Sequence, residues 1–116
     1  MTFAQLRELA ASVGFQGEAA DIAAAIALAE SGGDPMAQGD PLGPFGPVPN
    51  GSSSSFGLWQ VHLPAHPQYD AAKLLQDVGY SARAAFAISR SGTVWTPWST
   101  FNNGAYKRFL PTEGNA

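Results

Sequence analysis

The stretch Ile22-Ala23-Ala24-Ala25-Ile26-Ala27-Leu28-Ala29-Glu30-Ser31-Gly32-Gly33 reads as an apolar helix that ends on a carboxyl group. Ile22, Ile26 and Glu30 are spaced four apart, so one helix face presents two isoleucines and then an acid. A carboxylate that continues a core-facing stripe carries a desolvation cost and must be paired, hydrogen-bonded or protonated. A helix C-terminus carries partial negative charge, which disfavours a second anion there. Both effects are expected to make Glu30 hold its proton more tightly than a surface glutamate, as a general acid requires.

Upstream, Glu18 and Asp21 fall in the first turn of this helix, where anions are favoured. Before it, Thr2-Phe3-Ala4-Gln5 has the form of a capping box. Leu6, Leu9, Ala10 and Val13 follow at helical spacing, and Gly14 can end that helix. Downstream the texture changes. Gly, Pro and Ser fill 16 of the 25 positions from Ser31 to Ser55, and the proline run from Pro41 to Pro49 excludes a helix or a central strand. A mobile loop over about residues 33–55 is expected, with room for at most a small β-hairpin.

Phe56-Gly57-Leu58-Trp59-Gln60-Val61 is expected as a short helix or turn capped by Ser54 or Ser55. Asp70 to Leu75 reads as another short helix. Ser81 can cap a longer one from Ala82 to about Ser89, closed by Gly92. Pro97 suits the first turn of a helix opening near Trp98, and Tyr106, Phe109 and Leu110 suggest a last helical segment. No sustained period-two alternation appears, so the fold class is mainly α.

At 116 residues the chain fits one domain, with net charge −3 and no basic block. Nucleic acid is an unexpected partner. No apolar run of about 18 residues could span a membrane, and no signal peptide is visible. The absence of cysteine excludes disulfides, thiol nucleophiles and cysteine–zinc sites, and His62 and His66 alone cannot build a structural zinc site. They read as surface or loop-packing residues. Trp59, Trp95 and Trp98 suit either the core or a cleft rim, because each carries an indole N–H that wants a partner.

Three segments taken in order resemble one family: Ala29-Glu30-Ser31-Gly32-Gly33, Ser55-Phe56-Gly57-Leu58-Trp59-Gln60-Val61, and Trp98-Ser99-Thr100-Phe101-Asn102-Asn103-Gly104-Ala105-Tyr106. Together they are similar to the soluble-lytic-transglycosylase-like, lysozyme-like domain, in the version embedded in phage tail and virion proteins. The resemblance covers about Ile22 to Leu110. It implies several helices around a substrate cleft, peptidoglycan glycan strands as substrate, and no cofactor or metal. By position, Glu30 matches the catalytic acid/base, and Ser31 the serine beside the scissile bond. Gln60 matches a substrate-binding glutamine, with Gly57, Leu58 and Trp59 building that wall. Asn102 and Gly104 match the segment closing the cleft opposite the acid. Phe101 stands where the family usually has tyrosine, so a phenolic hydroxyl near the acid is missing unless Tyr106, Tyr80 or Tyr69 supplies one. Phe101 and Tyr106 also join the residues expected at the substrate.

The implied reaction cuts the β-1,4 bond between N-acetylmuramic acid and N-acetylglucosamine. Lytic transglycosylases and lysozymes differ in whether a 1,6-anhydro sugar or a reducing end results, and both outcomes stay open. Asp34 and Asp40 are candidates for a second carboxylate, although Asp-Pro pairs also open turns. Two other readings compete. One is a catalytically silent wall-binding or structural tail module, to which Phe101 lends weight; the other is a chitin or other glycan hydrolase on the same scaffold. The acidic balance suggests a catalytic unit that relies on a neighbouring domain or virion for delivery. The resemblance implies part of a larger virion or lytic protein, virion-associated or secreted, and nothing in the sequence suggests an obligate oligomer, so the isolated domain is expected to be a monomer.

Overall fold

The computed structural model describes residues 1–39, 42–43, 46–47 and 54–111. Asp40 and much of the proline-rich stretch expected to be mobile lie outside the described residues. Helix α1 spans Phe3–Val13 and α2 spans Glu18–Ser31. Thr2 caps α1 through the capping box read from its sequence, its side chain accepting from the Gln5 N–H while Gln5 reaches back to the Thr2 N–H.

Helix α2 is the axis of the fold. Ala23, Ala24, Ala25, Ile26 and Ala27 are all fully buried, so the middle of this helix is enclosed on every side. Alanine makes that possible, because a methyl group lets neighbouring elements approach the helix backbone closely at no cost in helix propensity. Helix α1 packs against α2 through Leu6 and Ala10. The Gly32 N–H closes the end of α2 on the Leu28 carbonyl.

Strands β1 (Gln38–Gly39), β4 (Ser55–Phe56) and β5 (Val61–His62) form an antiparallel sheet in the order β1-β4-β5. Strands β2 (Leu42–Gly43) and β3 (Gly46–Pro47) pair separately. The segment around Gly57–Gln60 is therefore the turn of a hairpin between β4 and β5, and the short-helix alternative for it is not adopted. The backbone explains this. Gly57 at φ +84° and Gln60 at φ +48° both lie in the left-handed region, which a right-handed α-helix does not accommodate.

Helices α3 (Ala71–Gln76) and α4 (Val78–Ile88) follow, capped by the carboxylates of Asp70 and Asp77. Helix α4 thus begins earlier than the expected start at Ser81. Asp77 takes the capping place, and Ser81 lies fully buried inside the helix. Helix α5 (Ser99–Asn102) and a 3-10 helix (Ala105–Phe109) are the last elements among the described residues and pack back onto α2. The result is mainly helical with a small sheet, the fold class expected from the sequence. No helix among the described residues is long and apolar enough to cross a membrane.

Candidate active site

Glu30 is the penultimate residue of α2, and its half-buried side chain lines a cleft of about 390 Å³. Ser55, Gln60, Val61 and His62 reach the cleft from the β4–β5 hairpin, Ala65 and His66 from the turn after it. Ile88 comes from α4, and Pro97, Trp98 and Ser99 from the approach to α5. Among the described residues, Glu30 is the only carboxylate in this lining.

Two tryptophans tie these pieces to α2. The Trp59 indole N–H donates to the Ala23 carbonyl at 2.9 Å, and the Trp98 indole N–H donates to the Trp59 carbonyl at 2.9 Å. Two residues beyond Trp98, the Thr100 hydroxyl donates to Glu30 Oε2 at 2.7 Å. The hydrogen bonds therefore run from α2 through the hairpin turn to α5 and back to α2. Each indole nitrogen sits inside an apolar cluster, where an unmade hydrogen bond would be costly. These bonds fix where the hairpin and α5 stand relative to the acid.

Gln60 is held as firmly. Its Nε2 donates to the carbonyls of Ala37 at 3.1 Å and Gly57 at 2.9 Å, joining the segment before β1 to the hairpin turn. A methyl group at Gly39 would collide with Gln60 Oε1, so the glycine leaves room for the amide. At Gly57 a methyl group would come within 2.5 Å of the Leu74 carbonyl oxygen, and its positive φ already disfavours a side chain.

The remaining residues expected at the substrate stand around the cleft and not in its lining. Trp59 is fully buried, so its direct contact with substrate gives way to a supporting place behind the wall. Its large apolar body is better used in the core, with the indole N–H satisfied by the helix backbone. The Ser31 hydroxyl donates to the Ala27 carbonyl and accepts from the Gly33 N–H, finishing the helix end. Phe101 stacks on Tyr106 at 4.9 Å and lies 6.4 Å from the Trp95 ring. Asn102 Nδ2 donates to the Thr96 carbonyl at 2.9 Å. Asp34 is exposed and accepts the Met36 N–H, the turn chemistry its Asp-Pro sequence suggested.

Several lining residues were not singled out by the sequence as site residues. His62 and His66, read as surface or packing residues, both line the cleft. Thr100 supplies the hydroxyl at the acid that was sought from a tyrosine. Tyr80 instead accepts the Asp70 N–H through its own hydroxyl. Thr100 lay within the third motif, one residue before Phe101, and a hydroxyl beside a missing hydroxyl was the available signal. Among the described residues no three His, Asp or Glu side chains come together as a metal ion would need.

No curated protein and no solved structure matches the chain. The family model described as a lysozyme-like domain matches residues 7–100, which take in the acid-bearing end of α2, the β4–β5 hairpin and Thr100. At the level of the family this supports a glycosidase that cleaves peptidoglycan and acts at the cell wall. The chain belongs to the lysozyme-like domain family.

Proposed function

We propose that this domain cuts the β-1,4 bond between N-acetylmuramic acid and N-acetylglucosamine, with Glu30 as its single general acid and base. The observation that carries the reading is the half-buried Glu30 carboxyl group in the cleft, joined to the Thr100 hydroxyl at 2.7 Å. Protonated Glu30 donates to the glycosidic oxygen as positive charge develops at the sugar carbon. Most enzymes of this chemistry use a second carboxylate as nucleophile or base. Among the described residues no second one lines the cleft. In this reading the substrate's own acetamido group stabilises the cation, as the family resemblance implies. Glu30, now ionised, then takes the proton of the muramic acid 6-hydroxyl, and a 1,6-anhydro sugar forms without water. Entry of water at this point gives hydrolysis instead.

A hydroxyl partner suits both halves of this cycle. Thr100 Oγ1 donates to the ionised carboxylate and can turn to accept from the protonated acid. Gln60 stands in the lining as the wall beside the acid. Ser31, Trp59, Phe101, Asn102 and Tyr106 serve by holding the walls. With net charge −3 and an anionic wall as target, delivery by a larger virion or lytic protein suits the domain.

Mass spectrometry of digested peptidoglycan tests the reading. The unsubstituted protein should release fragments lighter by one water than hydrolytic products. Glu30→Gln should release none while its circular dichroism is unchanged. Intact strands after treatment with the unsubstituted protein would overturn the proposal, and reducing ends would reassign it to hydrolysis.

A further inference from the structure

The cleft holds three titratable side chains among the described residues, and the mechanism uses one. Glu30 is the acid; His62 and His66 remain. No lysine or arginine is in the lining. An anionic ligand would therefore meet one carboxyl group and no permanent positive charge.

Both imidazoles are mounted on ordered structure. Ser55 and His62 face each other directly across the β4–β5 pair, and Ser55 Oγ lies 3.2 Å from His62 Nδ1. Ser55 is buried, so this contact steadies an otherwise exposed ring. The His66 N–H is shared between the carbonyls of His62 and Leu63, each at 3.0 Å, so the second imidazole follows within one tight turn. The His66 ring lies 6.5 Å from Tyr69.

Among the described residues, few groups surround the pair. Helix α2 contributes Glu30, β4 contributes neutral Ser55, and α4 contributes Ile88. Tyr69 stands beside His66, with Tyr80 behind it and Lys73 over the Tyr80 ring. Burial, and then Tyr80, push the Tyr69 hydroxyl above its ordinary range, so it stays neutral wherever imidazoles change charge. The histidines are the charge-changing groups in the lining that can turn positive.

Peptidoglycan strands differ from chitin in carrying carboxylates on every muramic acid, either on its lactyl ether or on the peptide stem attached there. We infer that His62 and His66 form a carboxylate-recognising wall, which engages the acidic appendage of muramic acid when the imidazoles are protonated. Imidazolium-to-carboxylate hydrogen bonds are of the strong, charge-assisted kind. The attraction exists only while an imidazole carries its proton. This rests on the proposed peptidoglycan-cleaving function and adds the feature by which the cleft tells its substrate from a neutral glycan.

The test measures binding to the Glu30→Gln protein, which removes turnover and the acid's own titration. Three soluble ligands are compared by calorimetry near pH 5.5 and pH 8: stem-bearing strands, stem-free muramic acid strands, and chitin oligomers. Near pH 5.5 a carboxylate-bearing strand should bind about tenfold tighter than chitin, and near pH 8 that preference should largely vanish. Adding His62→Gln and His66→Gln should abolish the preference seen near pH 5.5. Preference for stem-free muramic strands alone assigns the contact to the lactyl carboxylate, preference for stem-bearing strands alone assigns it to the stem, and preference for both means that the wall accepts either carboxylate. Equal affinity for all three ligands near pH 5.5, a preference that persists near pH 8, or one that survives the histidine substitutions overturns the inference alone. Failure to bind any of the three overturns the proposed function with it. The pH comparison uses the native histidines, so it stands even if the substituted protein folds poorly.

Discussion

The Thr100 hydroxyl meets Glu30 Oε2 at 2.7 Å across 70 residues of sequence. The two belong to different helices, and the contact exists because α5 is pinned to the hairpin by the Trp98 indole and the hairpin to α2 by the Trp59 indole. Thr100→Val removes the hydroxyl with little change in shape, whereas Thr100→Ser keeps it. A hydrogen bond to a charged group contributes about 1.5–3 kcal/mol. Thr100→Val should therefore lower kcat by about ten- to a hundredfold, and Thr100→Ser should stay near the unsubstituted rate. Losing a donor disfavours the ionised carboxylate, so the high-pH limb of the Thr100→Val rate profile should move upward. Equal pH–rate profiles for the two variants would count against a role for this hydroxyl.

Trp59 separates a core role from a sugar-contact role. Its ring is fully buried and its N–H is bound to Ala23. Trp59→Phe leaves a void and deletes that hydrogen bond, a loss on the order of 2–4 kcal/mol. Thermal unfolding should shift down by roughly 10 °C or more, while KM measured at a temperature where the variant is folded changes little. A raised KM with an unchanged unfolding temperature would put the ring on the substrate.

Gly39 and Gly57 should respond differently to the same added methyl group. Gly57→Ala forces a left-handed alanine against the Leu74 carbonyl and should cost about 1–3 kcal/mol. At Gly39 the obstacle is the far end of the Gln60 side chain. Gly39→Ala should displace the amide from its bonds to Ala37 and Gly57, lowering activity more than stability. Unfolding temperature and turnover, measured on both variants, check the contrast.

Ser81 offers a stabilising change. Its hydroxyl is fully buried with no hydrogen-bond partner among the described residues. Ser81→Ala removes a polar group that lost its water on folding, and alanine is the better helix former. The variant should be more stable by about 1 kcal/mol, measured as a higher urea midpoint at unchanged slope. A destabilised Ser81→Ala protein would mean that the hydroxyl has a partner in solution.

Much of the architecture was legible locally. The capping box of α1, the apolar span of α2 and the acid at its end rest on side-chain spacing within one or two turns, which is information a linear chain carries by itself. The same holds for the mainly helical class and for the family resemblance, which rest on short motifs in a fixed order. Relationships between segments were not legible. Whether the Trp59 indole faces a sugar or the Ala23 carbonyl depends on which element packs over it. Whether a threonine or a tyrosine meets Glu30 depends on how α5 is rotated, and an isolated four-residue helix has no preferred rotation of its own. The two histidines were read as peripheral because nothing local marks them. Only the pairing of β4 with β5, and the close turn after it, carries both rings to the cleft. Burial and hydrogen bonding between distant segments are settled by the collapse of the whole chain, so tertiary structure alone decided which groups surround the acid.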